Sequence, residues 1–140
     1  MKYSYQKDIK QKKQEETKLN MKLLKKQIDS FTAAINGIVE SISQEFHLKI
    51  HLIAIICVVF LGFYMSISKT EWLFLILTMS AVVCLEIVNS AIERLCDKVT
   101  KENDPLIKLA KDMAAGSVLI TAISSVIIGC IIFIPKFIDL

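Results

Sequence analysis

The sequence contains few of the residues from which nucleotide loops, metal clusters or disulfide frameworks are built. Only four glycines and two prolines occur in 140 residues, and no P-loop, glycine-rich nucleotide loop or kinase HRD or DFG motif is present. The four cysteines are far apart and form no C-x-x-C pair, which favours small apolar packing residues over disulfide or metal roles. His47 and His51 have no third ligand nearby, so they are interpreted as interfacial histidines rather than zinc ligands. The basic N-terminal region is too long for a cleavable signal peptide.

Charge is unevenly distributed along the chain. The composition is 54% hydrophobic and 22% charged, and the first 29 residues hold nine lysines against four acids, a net charge of +5. Since the whole chain has a net charge of +3, the remaining residues have a net charge of −2. Such segregation is typical of a membrane protein. We expect residues 1–29 to form a basic cytoplasmic tail, mobile or marginally helical, with anionic lipid a nearer partner than nucleic acid.

Helical periodicity and apolar runs predict an all-α membrane protein. Residues 30–46 are amphipathic, begin at a suitable N-cap (Ser30) and are too polar to cross a bilayer, so they predict an amphipathic surface helix that ends at Glu45. This helix and the spans form one membrane domain, residues 30–140. Pro105 suits the first turn of a helix, and the charged turn 106–112 leads into the last span. Three apolar runs are long enough to be transmembrane helices, 48–68, 72–95 and 113–135.

The basic residues also predict the orientation of these spans. The N-terminal tail and the loop between the second and third spans are positive, whereas the short turn and the C-terminus offer only Lys69 and Lys136. The positive-inside rule therefore places the N-terminus inside and the C-terminus outside. The region from Glu86 to Asp112 then faces the cytoplasm, where nucleotides are available.

Polar side chains form a stripe on the second span. Glu86, Asn89, Glu93 and Asp97 have the spacing i, i+3, i+7 and i+11, which places them on one helical face. Glu86 lies roughly 21 Å beyond Trp72 along such a helix, still inside a ~30 Å hydrocarbon layer. An isolated carboxylate there costs at least about 2.5–3.5 kcal/mol. An intramembrane acid indicates a functional site by default, and a packing contact with another helix is the structural alternative.

Several carboxylates with Lys111 nearby at a cytoplasmic interface suit Mg²⁺ and a polyphosphate, because Mg²⁺ prefers hard oxygen ligands and keeps waters and phosphates in its shell. Phosphoryl transfer needs that metal, a cation on the phosphates and a base near the accepting hydroxyl. A different class remains open, a small transporter or an assembly subunit without enzymatic activity. A proton-coupled carrier needs a membrane carboxylate such as Glu86, but it does not need Glu93, Asp97, Lys111 and Asp112 at the cytoplasmic edge.

The motifs in this region resemble those of a known family. The segment Glu86-x-x-Asn89-Ser90-Ala91-Ile92-Glu93-x-x-x-Asp97, followed by Ala110-Lys111-Asp112-Met113-Ala114, is similar to the small integral-membrane lipid kinases of bacteria, the diacylglycerol and undecaprenol kinase family. The resemblance covers residues 30 to the C-terminus. It implies a homotrimer of three-span subunits in the bacterial cytoplasmic membrane, with active sites between subunits, MgATP as phosphate donor and a lipid alcohol as acceptor.

The resemblance also implies roles for individual residues. Glu86 corresponds to the proposed catalytic base, and Glu45 and Glu93 correspond to the metal-binding acids that also contact the nucleotide. Further nucleotide contacts are implied for Glu102, Asn103, Asp104, Lys111 and Asp112. Supporting roles fall to Asn89, Asp97 and Lys49, although Lys49 stands where family members often have arginine. Without the resemblance, the residue pattern selects Glu86 and Glu93 but not Glu45.

Two acceptors remain open from the sequence. The stretches Lys49-Ile50-His51-Leu52, Leu61-Gly62-Phe63 and Ser68-Lys69-Thr70-Glu71-Trp72 are more similar to the undecaprenol kinase branch than to the diacylglycerol kinase branch. We therefore expect undecaprenol to be phosphorylated to undecaprenyl phosphate, with diacylglycerol conversion to phosphatidate as the alternative. Periodicity and charge do not decide between them, because both lipids present a primary hydroxyl at the interface.

Overall fold

The computed structural model describes residues 2–138, with side chains from residue 15 onward and at Lys13. The all-α prediction is confirmed, and three of the helices are long and apolar enough to cross a membrane. The chain divides into two units, residues 1–40 and 41–140. The helices are α1 (Lys2–Gln44), α2 (Phe46–Tyr64), α3 (Lys69–Val99) and α4 (Pro105–Ile138).

The first helix is much longer than the sequence predicted. It begins at Lys2 rather than at Ser30, so the predicted N-cap is wrong. The Ser30 hydroxyl instead donates to the Lys26 carbonyl, 2.8 Å away within the same helix. Lysine, glutamate and glutamine favour helix almost as well as leucine does, which explains why a polar segment continues the helix. The side chains of Lys2, Lys7, Lys10 and Lys12 lie outside the described part of the chain.

A break at Glu45 separates α1 from the first spanning helix. Glu45 has an extended backbone (φ −90°, ψ 119°) and its side chain makes no cap for α2. The Lys49 ammonium donates to the Ser43 carbonyl at 2.7 Å, one of the carbonyls that the end of α1 leaves without a helical partner. Leu48, fully buried, anchors the beginning of α2. The helix α1 ends at Gln44, one residue before Glu45.

The turn between α2 and α3 lies earlier in the chain than the predicted spans place it, since α2 ends at Tyr64 and α3 begins at Lys69. Ser66 adopts a left-handed conformation with φ 50°. Ser68 and Glu71 then form a capping box, in which the Ser68 amide donates to the Glu71 carboxylate at 2.6 Å and the Glu71 amide donates to the Ser68 hydroxyl at 3.3 Å. This box adds a full helical turn before Trp72.

The last two helices form an antiparallel hairpin. Asp104 is the N-cap of α4, because its carboxylate accepts from the amides of Leu106 at 2.7 Å and Ile107 at 3.2 Å. Pro105 is therefore the first helical residue, as predicted. At the opposite end of the hairpin, Lys136 lies 3.6 Å from Glu71.

The apolar core lies near the turn between α2 and α3. It contains Ile67, Leu75, Ile132 and Phe133, all at most 7% exposed. Trp72 packs over Gly62 so closely that a Cβ there would lie 2.9 Å from the indole ring. The ring also contacts Phe63, at 4.9 Å between centroids. Of the cysteines, Cys96 is buried, and the other three are exposed in the single chain.

Candidate functional site

The polar stripe on α3 begins with three buried residues. Glu86 is 5% exposed, Asn89 9% and Ser90 4%. The Ser90 hydroxyl donates to the Glu86 backbone carbonyl at 3.0 Å, so it is satisfied within the helix. Within residues 15–138, no side chain donates to the Glu86 carboxylate. The Glu86 residue is thus buried and no described side chain holds its carboxylate, which leaves this group available to a bound hydroxyl.

Asn89 is directed at the next acid along the stripe. Its amide nitrogen donates to the Glu93 carboxylate at 3.0 Å, so within the described chain the side chain of Asn89 contacts Glu93 and not Glu86. The Asn89 side-chain oxygen is buried and has no hydrogen-bond partner in the described chain. An unsatisfied buried oxygen costs free energy, so this atom is available to a ligand that supplies a donor or a cation.

Glu45 contacts α3 through a residue that the sequence did not select. The Arg94 guanidinium lies 2.9 Å from the Glu45 carboxylate. Because Arg94 follows Glu93 directly, this ion pair joins the break between α1 and α2 to the acidic stripe. The two residues are 49 positions apart, and no spacing rule links such distant residues.

A polar cavity of about 580 Å³ lies where α3 meets α4. Asp97 and Lys111 form an ion pair within it. The loop adds Lys101 and Lys108, so that three ammonium groups line one opening. Such a cluster suits a polyphosphate. Five of the predicted site residues line this cavity, namely Asp97, Glu102, Asn103, Asp104 and Lys111.

Other predicted site residues lie outside this cavity. Asp112 follows Lys111 but is exposed and is not among the lining residues. Lys49 is bonded to the end of α1, which gives it a structural contact. Asp104, which does line the cavity, also has a structural role because its carboxylate caps α4. The single chain thus brings together the loop residues, keeps Glu86, Asn89 and Glu93 along α3, and leaves Asp112 apart.

The donor atoms near Glu93 are compatible with Mg²⁺. The part of the chain with described side chains holds no group of three or more His, Cys, Asp or Glu residues suited to a metal. Mg²⁺ does not need such a group, because it commonly takes one or two carboxylates and completes its shell with water and substrate phosphates. The unpaired Asn89 oxygen beside Glu93 adds a hard ligand. The residues therefore fit a Mg²⁺ that arrives with a nucleotide.

A second cavity, of about 280 Å³, lies between α2, α3 and α4. Its walls are mostly apolar and include Val82 on α3, and His51, Thr78 and Ser125 are the polar lining residues. Val82 precedes Glu86 by four residues, which places both on the same face of α3. An apolar cavity thus lies one helical turn from the buried carboxylate.

Comparison with known proteins gives consistent matches. The profile of the prokaryotic diacylglycerol kinase family matches residues 32–133, a range that contains every predicted site residue. "Undecaprenol kinase" of Bacillus subtilis is 40% identical over 107 residues, which are 76% of this chain and 87% of that protein. "Diacylglycerol kinase" of Synechocystis sp. is 31% identical over 112 residues, 79% of this chain and 64% of that protein. "Diacylglycerol kinase" of Escherichia coli is 33% identical over 85 residues, 61% and 70% respectively.

Proposed function

Because the chain belongs to the prokaryotic diacylglycerol kinase family and is thus a lipid kinase, we propose that it transfers the γ-phosphoryl group of ATP to undecaprenol, forming undecaprenyl phosphate. The 40% identity to a protein named undecaprenol kinase, over most of both chains, supports this acceptor. Diacylglycerol is the alternative, because relatives at 31% and 33% identity are named diacylglycerol kinases.

One observation carries the proposal, namely that α3 connects a buried carboxylate to a polar cavity. Glu86 is buried in a helix long enough to span a membrane, and Asp97, eleven residues later, lines the lysine-rich opening. A lipid kinase needs this combination, because its acceptor hydroxyl comes from the bilayer and its donor comes from water.

The polar cavity is the proposed nucleotide site. Lys111 contributes positive charge to the phosphates, and Glu102, Asn103 and Asp104 line the same opening. Glu45 and Glu93 are the proposed holders of Mg²⁺, Asp112 is a further proposed nucleotide contact, and Asn89, Asp97 and Lys49 have proposed supporting roles. When bound, Mg²⁺ neutralises charge on the phosphate oxygens.

The transfer itself is proposed to start at Glu86. Its carboxylate accepts the proton of the lipid hydroxyl as that oxygen forms a bond to the γ-phosphorus. The bond between the γ-phosphorus and the bridging oxygen breaks, and ADP leaves with that oxygen. The lipid phosphate keeps the transferred phosphoryl group, and the proton leaves Glu86 for water. The apolar cavity beside Val82 supports this arrangement, since it offers space for part of the hydrocarbon chain.

Assembly and orientation are part of the same proposal. We infer a homotrimer in the bacterial cytoplasmic membrane with the α3–α4 loop in the cytoplasm, where ATP is present. The positive loop supports the orientation. The C-terminal residues that this orientation places outside, beyond residue 138, lie outside the described chain.

A competition assay tests the acceptor. Purified protein in lipid nanodiscs would receive labelled ATP, Mg²⁺ and equal amounts of undecaprenol and diacylglycerol, and the labelled lipids would be separated and counted. We expect undecaprenyl phosphate to dominate. Labelled phosphatidate as the main product would favour the alternative, and no labelled lipid with either acceptor would contradict the kinase assignment.

A further inference from the structure

The apolar cavity is elongated along the three helices that form it. Its lining residues extend over 51–61 on α2, 75–82 on α3 and 122–133 on α4. At ~1.5 Å per residue, these ranges are roughly 10–16 Å long. Spread over that length, a volume of about 280 Å³ leaves a cross-section of roughly 17–27 Å². The cavity is therefore long and narrow, and it follows the direction in which a lipid chain lies in a bilayer.

One end of the cavity lies close to the buried carboxylate. The contacts at the two ends of α2 show that it runs antiparallel to α3, so His51 and Val82 line the same end of the cavity. Glu86 follows Val82 by four residues, roughly 6 Å further along the same face of α3. The other end reaches Leu75 and Phe133, two residues of the apolar core. The cavity is thus in line with a chain whose hydroxyl is at Glu86.

The hydroxyl groups in the cavity wall already have hydrogen-bond acceptors. The Thr78 hydroxyl donates to the Phe74 carbonyl at 3.0 Å, and the Ser125 hydroxyl donates to the Thr78 carbonyl at 3.5 Å. His51, the remaining polar lining residue, lies at the end near Glu86. An ester carbonyl placed deeper in the cavity would lack a donor, and burying an unpaired polar group costs free energy. The walls therefore favour a plain hydrocarbon chain.

The cavity opens sideways and is too narrow for two chains. Ala54 on α2 and Val126 on α4 line it and are nevertheless exposed on the single chain, so a lipid chain can enter from the bilayer. Because carbon atoms in contact lie about 4 Å apart, one chain needs a cross-section of at least about 16 Å² and two chains need at least about 32 Å². The cross-section thus admits one hydrocarbon chain.

We propose that the apolar cavity receives the part of the acceptor chain next to the hydroxyl group and thereby selects a polyprenol over a diacylglycerol, with Gly129 as the specificity-determining residue on α4. This inference rests on the proposed kinase activity with Glu86 at the hydroxyl. A polyprenol continues as hydrocarbon beyond its hydroxyl carbon, whereas a diacylglycerol has two ester-linked chains there. Gly129 lines the cavity, and a Cβ at this position would meet no atom of the described chain within 4 Å. The absence of a side chain at position 129 therefore keeps the cavity open.

Two glycines on α4 provide a matched test. The Cβ position of Gly116, like that of Gly129, has no atom of the described chain within 4 Å, but Gly116 does not line the cavity. Gly129→Leu and Gly116→Leu would be reconstituted in lipid nanodiscs and assayed with labelled ATP and either undecaprenol or diacylglycerol. Oligomeric state and melting temperature would be measured on the same samples.

We expect Gly129→Leu to lower kcat/KM for undecaprenol at least about tenfold, because a single methylene changes selectivity in an apolar pocket by about 10–200-fold. Its KM for ATP should not change, its kcat/KM for diacylglycerol should fall less, and Gly116→Leu should remain near the wild type. An unchanged kcat/KM for undecaprenol in Gly129→Leu, or equal losses with both lipids, would overturn the proposal.

Photochemical cross-linking tests the same cavity in the wild-type protein, so the proposal does not depend on the folding of a variant. A polyprenol with a diazirine in its first isoprene units would be irradiated with the protein in nanodiscs without ATP, and the labelled peptides would be identified by mass spectrometry. We expect labelling within residues 122–133 that undecaprenol suppresses more strongly than diacylglycerol does.

Three results of the cross-linking would overturn the proposal. Equal suppression by excess phosphatidylcholine would assign the cavity to bulk lipid, and labelling only after the oligomer is dissociated in detergent would assign it to a neighbouring subunit. Phosphorylation of undecaprenol without labelling of residues 122–133 would contradict the cavity assignment and leave the proposed kinase activity intact. Labelling of the cavity in a protein that phosphorylates neither lipid would instead contradict the proposed function and support the chain-binding site.

Discussion

The three acids nearest the proposed reaction differ in what they contact. Glu93 accepts a hydrogen bond from Asn89, Glu45 pairs with Arg94, and Glu86 is buried with no donor in the described chain. A carboxylate held by a neighbour is suited to ligand binding, whereas a buried one without a donor can accept a proton. The proposed roles of metal binding for Glu45 and Glu93 and proton acceptance for Glu86 predict different kinetic changes.

Glu93→Gln removes one negative charge while keeping the size of the side chain. If Glu93 holds Mg²⁺ with the nucleotide, this variant should show sharply reduced turnover and a higher Mg²⁺ requirement, because the remaining ligands carry less charge. Titrating Mg²⁺ at fixed ATP measures both quantities. Glu16→Gln, an exposed acid on α1, is the control. Near-normal activity of Glu93→Gln at low Mg²⁺ would remove this residue from the metal site.

Arg94 is expected to position Glu45. Arg94→Ala should lower activity or metal affinity by about 10–100-fold, the usual effect of losing a residue that holds a metal ligand. The same change should alter stability little, because a partly exposed ion pair contributes about 1 kcal/mol or less.

Arg94→Lys keeps the charge and should restore part of the loss. A double-mutant cycle of Arg94→Ala and Glu45→Gln checks whether Arg94 acts through Glu45. KM for MgATP and the melting temperature would be measured for each variant. Additive effects on KM would show that Arg94 does not act through Glu45.

The sequence predicts these residues unequally. Glu86, Asn89, Glu93 and Asp97 follow from helical spacing alone, because one helix brings them to one face. Arg94 could not be selected in this way, since its partner is 49 residues distant and only tertiary structure joins them. Spacing also does not decide which neighbour Asn89 contacts, because its side chain has acids on both sides along the helix.

At the scale of helices, the contact between α2 and α3 depends on the absence of a side chain at position 62. Gly62→Ala would put a Cβ 2.9 Å from the Trp72 ring, so the helices must separate or the ring must shift. We expect a loss of about 1–3 kcal/mol, seen as a lower melting temperature in detergent. Gly129→Ala is the matched control, because nothing lies within 4 Å of its Cβ position. Equal melting temperatures for both variants would contradict this packing.

The spanning helices were predictable because apolar runs of this length have few alternatives, whereas their ends were not. The helix α3 begins at Lys69 because Ser68 and Glu71 form a capping box, a pattern visible as Ser-x-x-Glu in the sequence. The start of α1 at Lys2 was missed because a polar segment was interpreted as a tail. Two features of the sequence indicated the longer helix, namely the helix propensity of this segment and its apolar residues at steps of three and four from Met21 to Ile38.

For the whole molecule, two ion pairs define the ends of the α3–α4 hairpin. Asp97 and Lys111 meet at the loop end, and Glu71 and Lys136 meet at the other end. The positive loop predicts that the first pair is cytoplasmic. In a cysteine-free background, a membrane-impermeant thiol reagent applied to intact cells should label Lys69→Cys and not Lys101→Cys. The reverse labelling would place the cavity outside, where ATP is not available as donor.

We propose that Glu86 accepts the proton of a lipid hydroxyl in the assembled kinase. The most direct measurement is single-turnover transfer from labelled ATP to undecaprenol by Glu86→Gln, with the oligomeric state determined on the same sample. Glu71→Gln, on the same helix but at the opposite end, is the control. A general base contributes about 10²–10⁴-fold, so we expect a loss of that size with the trimer intact and nucleotide affinity largely unchanged. An intact trimer that transfers phosphate at the normal rate, or a trimer that dissociates, would contradict it.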